Sequence, residues 1–296
     1  MTAKSIDAFT IVRILKEQIG ETAAAIQYGI LSGKVETLIT IPFSFNMAFA
    51  VALVPGVAGY IAVGRWAQAR RRIEFSILIT ILIGLPCMAI MGIFAEPILQ
   101  LLFPNASSGS ILLSLSSIGI IFVVLIQTLT GALQGLRKVV VPVIALGIGT
   151  IIKLVLNIIL IERIGINGAA ISSIVCYVIS FIICFAALKK NINIKFKVNQ
   201  FVLKPIIATG GMCVCSYWIY QKFMLGLNLN RNISFLTALL IGVIIYILFI
   251  IILKIFNKEE LLVFPNGEKL YKVFVKLKIY RKQKTPAVSR VLGRRN

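Results

Sequence analysis

LQGLRKVVVPVIALGIGTIIKLVLNIILIERIGINGAAISSIVCYVISFIICFAAL, residues 133–188, decides the fold. It holds two almost uninterrupted apolar runs, Val139 to Ile161 and Gly168 to Leu188, joined by a short turn around Gly165. Each run is close to the ~20 residues that an α-helix needs to cross a ~30 Å hydrocarbon core. Blocks of the same kind recur on both sides: Leu38 to Val63, Phe75 to Ala95 and Ile111 to Leu133 before it, Phe201 to Tyr220 and Ser234 to Leu253 after it. The whole chain agrees, with 59% hydrophobic and only 14% charged residues among 296, where soluble domains carry roughly a quarter charged. The expected fold is therefore an all-α polytopic membrane protein with about seven transmembrane helices.

A net charge of +21, from 31 Lys and Arg against 10 acids, would by itself permit binding to nucleic acid. The placement of the bases points instead to a membrane. Arg65, Arg70, Arg71 and Arg72 follow the first span, Arg137 and Lys138 the third, Lys189, Lys190, Lys195 and Lys197 the fifth, and Lys254, Lys258, Lys269, Lys272, Lys276 and Lys278 the seventh. The alternate connections are poor in base: none from Glu96 to Gly109, Arg163 near Gly165, Lys222 and Arg231 before Ser234. Basic short loops stay cytoplasmic, so the base-rich connections and the C-terminus are expected in the cytoplasm. The same alternation puts residues 1–35 outside, with Lys4, Arg13 and Lys16 and no preceding span, and suggests that a segment upstream is missing. MTAKSIDAFTIVRILKEQ, residues 1–18, has no apolar core or small-residue cleavage site of a signal peptide.

Four regions follow: 1–35, the remnant of a preceding span and an exterior connection; 36–188, a helical bundle; 189–253, a trailing pair of helices; and 254–296, a basic tail. EPILQLLFP, from Glu96 to Pro104, is too short to span and suits an interfacial turn. The tail from Asn257 mixes basic, apolar and aromatic residues and is expected on the anionic inner leaflet. Pro42, Pro55, Pro86 and Pro142, with Gly147, Gly149, Gly210 and Gly211, lie in or near spans. They serve equally as the ordinary kinks of membrane helices or as hinges.

The sequence offers no catalytic centre. It has no histidine, which removes an imidazole base or metal ligand. Cys87, Cys176, Cys184, Cys213 and Cys215 all lie in apolar blocks without metal or redox spacing, and no glycine-rich phosphate loop is present. No metal or cofactor is therefore expected. All ten acids read as lying outside the apolar interiors. What remains is a set of polar groups at membrane depth, where such groups are costly unless they face a bundle interior or an aqueous cavity. Lys153 leads it, eight residues or ~12 Å from the end of its span, with Asn157 one turn on along the same face. Lys153 either snorkels outward or faces a cavity and attracts an anionic headgroup such as pyrophosphate. Asn46, Gln127 and Gln134 are the further cavity candidates, although interhelical hydrogen bonding is the commoner use of such side chains.

Leu133, Gln134 and Gly135 closing one helix, Pro142 opening the next, Lys153 with Asn157, and Gly165, Gly168, Ala169 and Ala170 opening a third together resemble the polysaccharide transporter branch of the multidrug/oligosaccharidyl-lipid/polysaccharide flippase superfamily. Further matches are YGILSGKVETLITIP (28–42), ALVPGVAGYIA (52–62), EPILQLLFP (96–104) and LLVFPNGEKL (261–270), which look most like the stage V sporulation protein B group. The resemblance covers nearly the whole chain and aligns it with the second half of such proteins. It implies one lobe, plus the trailing pair, of a MATE-like transporter in the bacterial plasma membrane. It also implies alternating access around a central cavity, a lipid-linked oligosaccharide or polysaccharide precursor as cargo, membrane lipids as partners, and a second chain as one possible source of the N-terminal lobe. Related lipid II flippases carry an arginine just before the motif matching Thr40 to Pro42, where this chain has Thr37; that departure points away from lipid II itself as cargo. Two other readings stand beside this one: a non-transporting scaffold in envelope assembly, and a drug/cation antiporter of the same superfamily, which would call for an intramembrane carboxylate.

Overall fold

The computed structural model describes residues 2–104, 106–192, 198–226 and 230–256. The basic tail from Asn257 onward lies outside the described residues, as do Lys195 and Lys197. Among the described residues the chain is helical throughout, with no strand: α1 (Thr2–Ile19), α2 (Glu21–Gly29), a π-helical turn (Ile30–Val35), α3 (Glu36–Ala62), α4 (Trp66–Ile93), α5 (Ala95–Leu102), α6 (Ser110–Gly135), α7 (Val140–Ile164), α8 (Ile166–Asn191), a second π-helical turn (Asn199–Leu203), α9 (Lys204–Gly226) and α10 (Arg231–Ile252). Seven of these segments are long and apolar enough to cross a membrane. The run 96–104 forms the short α5 and spans nothing.

The largest departure from the sequence reading is at the first span, which is a continuous helical segment from Glu21 to Ala62 rather than one starting near Leu38. The boundary drawn at residue 35 falls inside it. Hydropathy marks where a helix enters the apolar layer, not where its hydrogen-bonded ladder begins. The π-helical turn carries that ladder through Gly33 and Lys34 without a break. The second span likewise begins at Trp66 instead of Phe75, because Arg70 reaches Glu74 one turn on at 3.0 Å and prolongs the helix beyond its apolar part.

α6 is the centre of the bundle. It packs on α3, α4 and α8, while α7 lies on α8 and α1, and α9 pairs with α10 and leans on α4. Of the most apolar stretch of each segment, 56% is buried in α6 but only 22% in α7 and α10, so the latter two present most of their surface to whatever surrounds the bundle. Close approach depends on missing side chains. A Cβ on Gly131 would stand 2.5 Å from the Ala50 carbonyl oxygen, and one on Gly149 would stand 2.5 Å from Ser180 Oγ. Small residues at such crossings let backbones meet where the surrounding lipid gives no hydrophobic drive. Gly165 turns α7 into α8 with φ of 62°.

The trailing pair is fastened at both ends. Tyr246 Oη donates to the Leu82 carbonyl at 2.8 Å, and Phe94 stacks edge-on against Tyr220 (5.7 Å) and tilted against Phe235 (5.6 Å). Arg231 hydrogen-bonds the Gln100 side chain and lies 3.9 Å from Glu96, which ties α10 to α5.

Candidate functional site

Two polar constellations occupy the bundle at membrane depth. The first is a hydrogen-bonded knot. Asn46 on α3 is fully buried; its amide nitrogen donates to Val124 O (2.9 Å), Gln127 Oε1 (3.0 Å) and Thr128 Oγ1 (3.1 Å) on α6. Its amide oxygen accepts from Thr80 Oγ1 of α4 at 3.0 Å, and the Thr80 and Thr128 hydroxyls stand 2.7 Å apart. Three helices are thus joined through one asparagine. Asn46 and Gln127 are brought together as members of this knot.

The second is a cavity of about 390 Å³. α3 and α7, which share no more than marginal contact with one another, flank it. α6 and α8, which pack together, close it from behind. Lys153 and Thr150 reach it from α7, Glu36, Thr40 and Phe43 from α3, Ser116 and Gly119 from α6, Ser173, Cys176 and Tyr177 from α8, and Leu31 and Val35 from the π-helical turn. Lys153 is 13 residues from Val140 and 11 from Ile164, about 20 Å and about 16 Å along the helix, and therefore near the middle of α7. Ser116 Oγ is buried on this cavity with no hydrogen-bond partner in the protein. A lining of one cation, one carboxylate, several hydroxyls and two aromatic rings can hold a polar, charged headgroup away from hydrocarbon.

Asn157 does not line this cavity. It is fully buried with both amide atoms lacking a hydrogen-bond partner. Gln134 is exposed at the end of α6, at the base-rich end of the bundle. A smaller hollow of about 240 Å³, lined by Gln27, Ser110 and Asn167 among others, lies at the opposite end.

Sequence reasoning missed Glu36. With the first span drawn from Leu38, the carboxylate read as a loop residue outside the apolar interior. The helix in fact begins at Glu21 and Glu36 lines the cavity. The available signal was the spacing of Glu36, Thr40 and Phe43, which a continuous helix puts on one face.

The family model of the lipid II flippase MurJ matches residues 22–236 of this chain. The chain belongs to that family. Among its curated relatives in Bacillus subtilis (strain 168), the lipid II flippase MurJ is 25% identical over 198 residues, 65% of this chain and 36% of the relative. Stage V sporulation protein B of the same organism is 22% identical over 246 residues, 82% of this chain and 46% of the relative. The probable low-salt glycan biosynthesis flippase Agl15 of Haloferax volcanii is 24% identical over 234 residues, 79% of this chain and 46% of the relative. The chain spans less than half the length of the curated relatives it matches. The MurJ family match includes the π-helical turn, the whole of the cavity lining and the knot. The superfamily resemblance read from the sequence is thereby established, together with the all-α, multi-pass membrane class.

Proposed function

We propose that this chain forms the second lobe of a flippase that moves a lipid-linked oligosaccharide or polysaccharide precursor across the bacterial plasma membrane by alternating access. Lys153 draws the anionic headgroup into the cavity, and the lipid tail stays in the bilayer. A first lobe, supplied by the same polypeptide or by a second chain, completes the cavity. The base-rich end and the C-terminus face the cytoplasm, in line with the retention of basic loops there. The observation that carries this reading is a lysine near mid-helix that lines a 390 Å³ cavity. Such a charge is costly in hydrocarbon and tolerated where it faces water or an anion.

Glu36 gives the cavity a carboxylate, the kind of group that a drug/cation antiporter would call for. Membership of a flippase family, together with a lysine in the same cavity, favours an anionic cargo over a cationic one. Thr37, exposed on α3 and donating to Gly33 O at 2.8 Å, leaves the lipid II flippases' arginine without a counterpart, so a glycan lipid other than lipid II is the proposed cargo.

Binding of a radiolabelled polyprenyl diphosphate-linked sugar to the chain in nanodiscs tests the proposal. Lys153→Gln is expected to weaken binding at least ~10-fold, which is about 1.4 kcal/mol, and Lys153→Arg to retain most of it. Equal binding by all three proteins would remove Lys153 from the site.

A further inference from the structure

Helix contacts fix which residues stand level with Lys153. Gly149 on α7 meets Cys176 and Ser180 of antiparallel α8, Gly119 on α6 meets Ile174 and Tyr177 of α8, and Gly131 on α6 meets Ala50 of parallel α3; Asn46 of α3 meets Val124 and Thr128 of α6. Stepping residue by residue from these points, Lys153 is level with about Ile174 on α8, with Ser117 or Ile118 on α6, and with the stretch from Glu36 to Leu38 on α3. Glu36 and Lys153 therefore stand within roughly one helical turn of each other in height, ~5 Å, on the two helices that flank one cavity. Neither lacks an interaction partner in the structure. A cation and a carboxylate at membrane depth are each stabilised by an opposite charge, and these are the Lys and the acid of the cavity lining.

We propose that Glu36 and Lys153 form an ion pair across the cavity, joining α3 to α7, and that an anionic headgroup gains Lys153 by displacing Glu36. The displacement step rests on the reading that the cavity takes the cargo's headgroup; the pair itself does not. Because α3 and α7 share no more than marginal contact among the described residues, the pair is a polar bridge across the cleft. A bound diphosphate would exchange this bridge for its own contact with Lys153 and leave α7 free to move relative to α3. Glu36 is thus a specificity residue: it turns away headgroups too weakly anionic to compete, and it lets the diphosphate leave again.

The test uses the full chain in phosphatidylcholine nanodiscs at one pH. Thermal unfolding is compared for the wild type, Glu36→Gln, Lys153→Gln and the double variant. Removing one partner leaves an uncompensated charge, whereas removing both does not. Each single variant is therefore expected to melt several degrees lower and the double variant to recover much of the loss, while Glu36→Asp stays near the wild type. Strictly additive losses would overturn the pair. Binding of farnesyl diphosphate, a short soluble lipid diphosphate, is then measured with the same proteins. Glu36→Gln is expected to bind about 10-fold more tightly than the wild type, Lys153→Gln to lose binding, and the gain from Glu36→Gln to shrink when Lys153 is absent. Unchanged or weaker binding by Glu36→Gln, alongside a binding site that needs Lys153, overturns the displacement step and leaves the flippase reading standing. Thermal coupling without any Lys153-dependent binding overturns that reading and the displacement step together, and leaves the pair.

Discussion

The knot around Asn46 and the cavity around Lys153 lie on the same helices, yet they treat polar groups in opposite ways. In the knot every strong hydrogen-bonding atom of Asn46 is used within the protein, by Val124, Gln127, Thr128 and Thr80. In the cavity a buried hydroxyl, Ser116 Oγ, has no partner in the protein, and charged groups from two helices in no more than marginal contact line a common space. A buried polar group that is satisfied specifies one arrangement of its helices. One that faces space is available to a ligand. The knot reads as the fixed frame and the cavity as the working part, and substitutions should separate them.

The largest effect is expected where the frame is tightest. Gly131→Val puts a side chain onto the Ala50 carbonyl, whose oxygen would lie 2.5 Å from the new Cβ. It should destabilise by about 3 kcal/mol, visible as a large fall in melting temperature or loss of monodisperse protein. Unchanged melting would mean that α3 and α6 do not cross as described. Asn46→Leu comes next. It removes four hydrogen bonds, leaving Thr80 only its contact with the Thr128 hydroxyl and Gln127 Oε1 without the Asn46 donor, and should lower stability by about 2 kcal/mol in detergent unfolding, with little change in the residual affinity of the folded fraction for a lipid diphosphate.

Lys153→Gln should reverse that pattern. Its effect on binding of the diphosphate-linked sugar, at least ~10-fold, should exceed its effect on melting, and the two readouts together separate site from frame. Ser116→Ala is expected to have the smallest effect. Because Ser116 Oγ has no protein partner, its loss should change stability by no more than about 0.5 kcal/mol and should alter only binding. A fall in melting as large as that of Asn46→Leu would show that Ser116 belongs to the frame. Sidedness can be checked independently. A single cysteine at Lys138 in a background lacking the native cysteines should react with an impermeant maleimide in inverted vesicles and not in intact cells.

Much of this was legible before any coordinates. Runs such as Val139 to Ile161 fix the membrane class, because hydropathy over ~20 residues is a property of the chain alone. The seven spans, the non-spanning stretch 96–104 and the unusual position of Lys153 follow in the same way. The alternation of Arg70, Arg71 and Arg72, then Arg137 and Lys138, then Lys189 and Lys190 was equally visible, because each loop can be read without its neighbours. The family also lay in short motifs whose spacing survives low overall identity.

Which polar residue meets which was decided only by the tertiary structure. Asn46, Gln127 and Lys153 look alike in one dimension, as single polar residues in apolar runs. Helix rotation and crossing send the first two into one another and the third to the wall of the cavity. Asn157 is one turn from Lys153 on nearly the same face and still leaves the cavity, because that turn carries it about 6 Å further along α7, where it is fully buried. Glu36 was hidden for the converse reason: it stands at the apolar boundary in sequence, and only a helix that runs unbroken from Glu21 through a π-helical turn carries it into the cavity wall. Hydropathy is local and additive along the chain, so the sequence settles the medium and the number of spans. The facing of a side chain depends on packing between distant segments, so the structure settles the site.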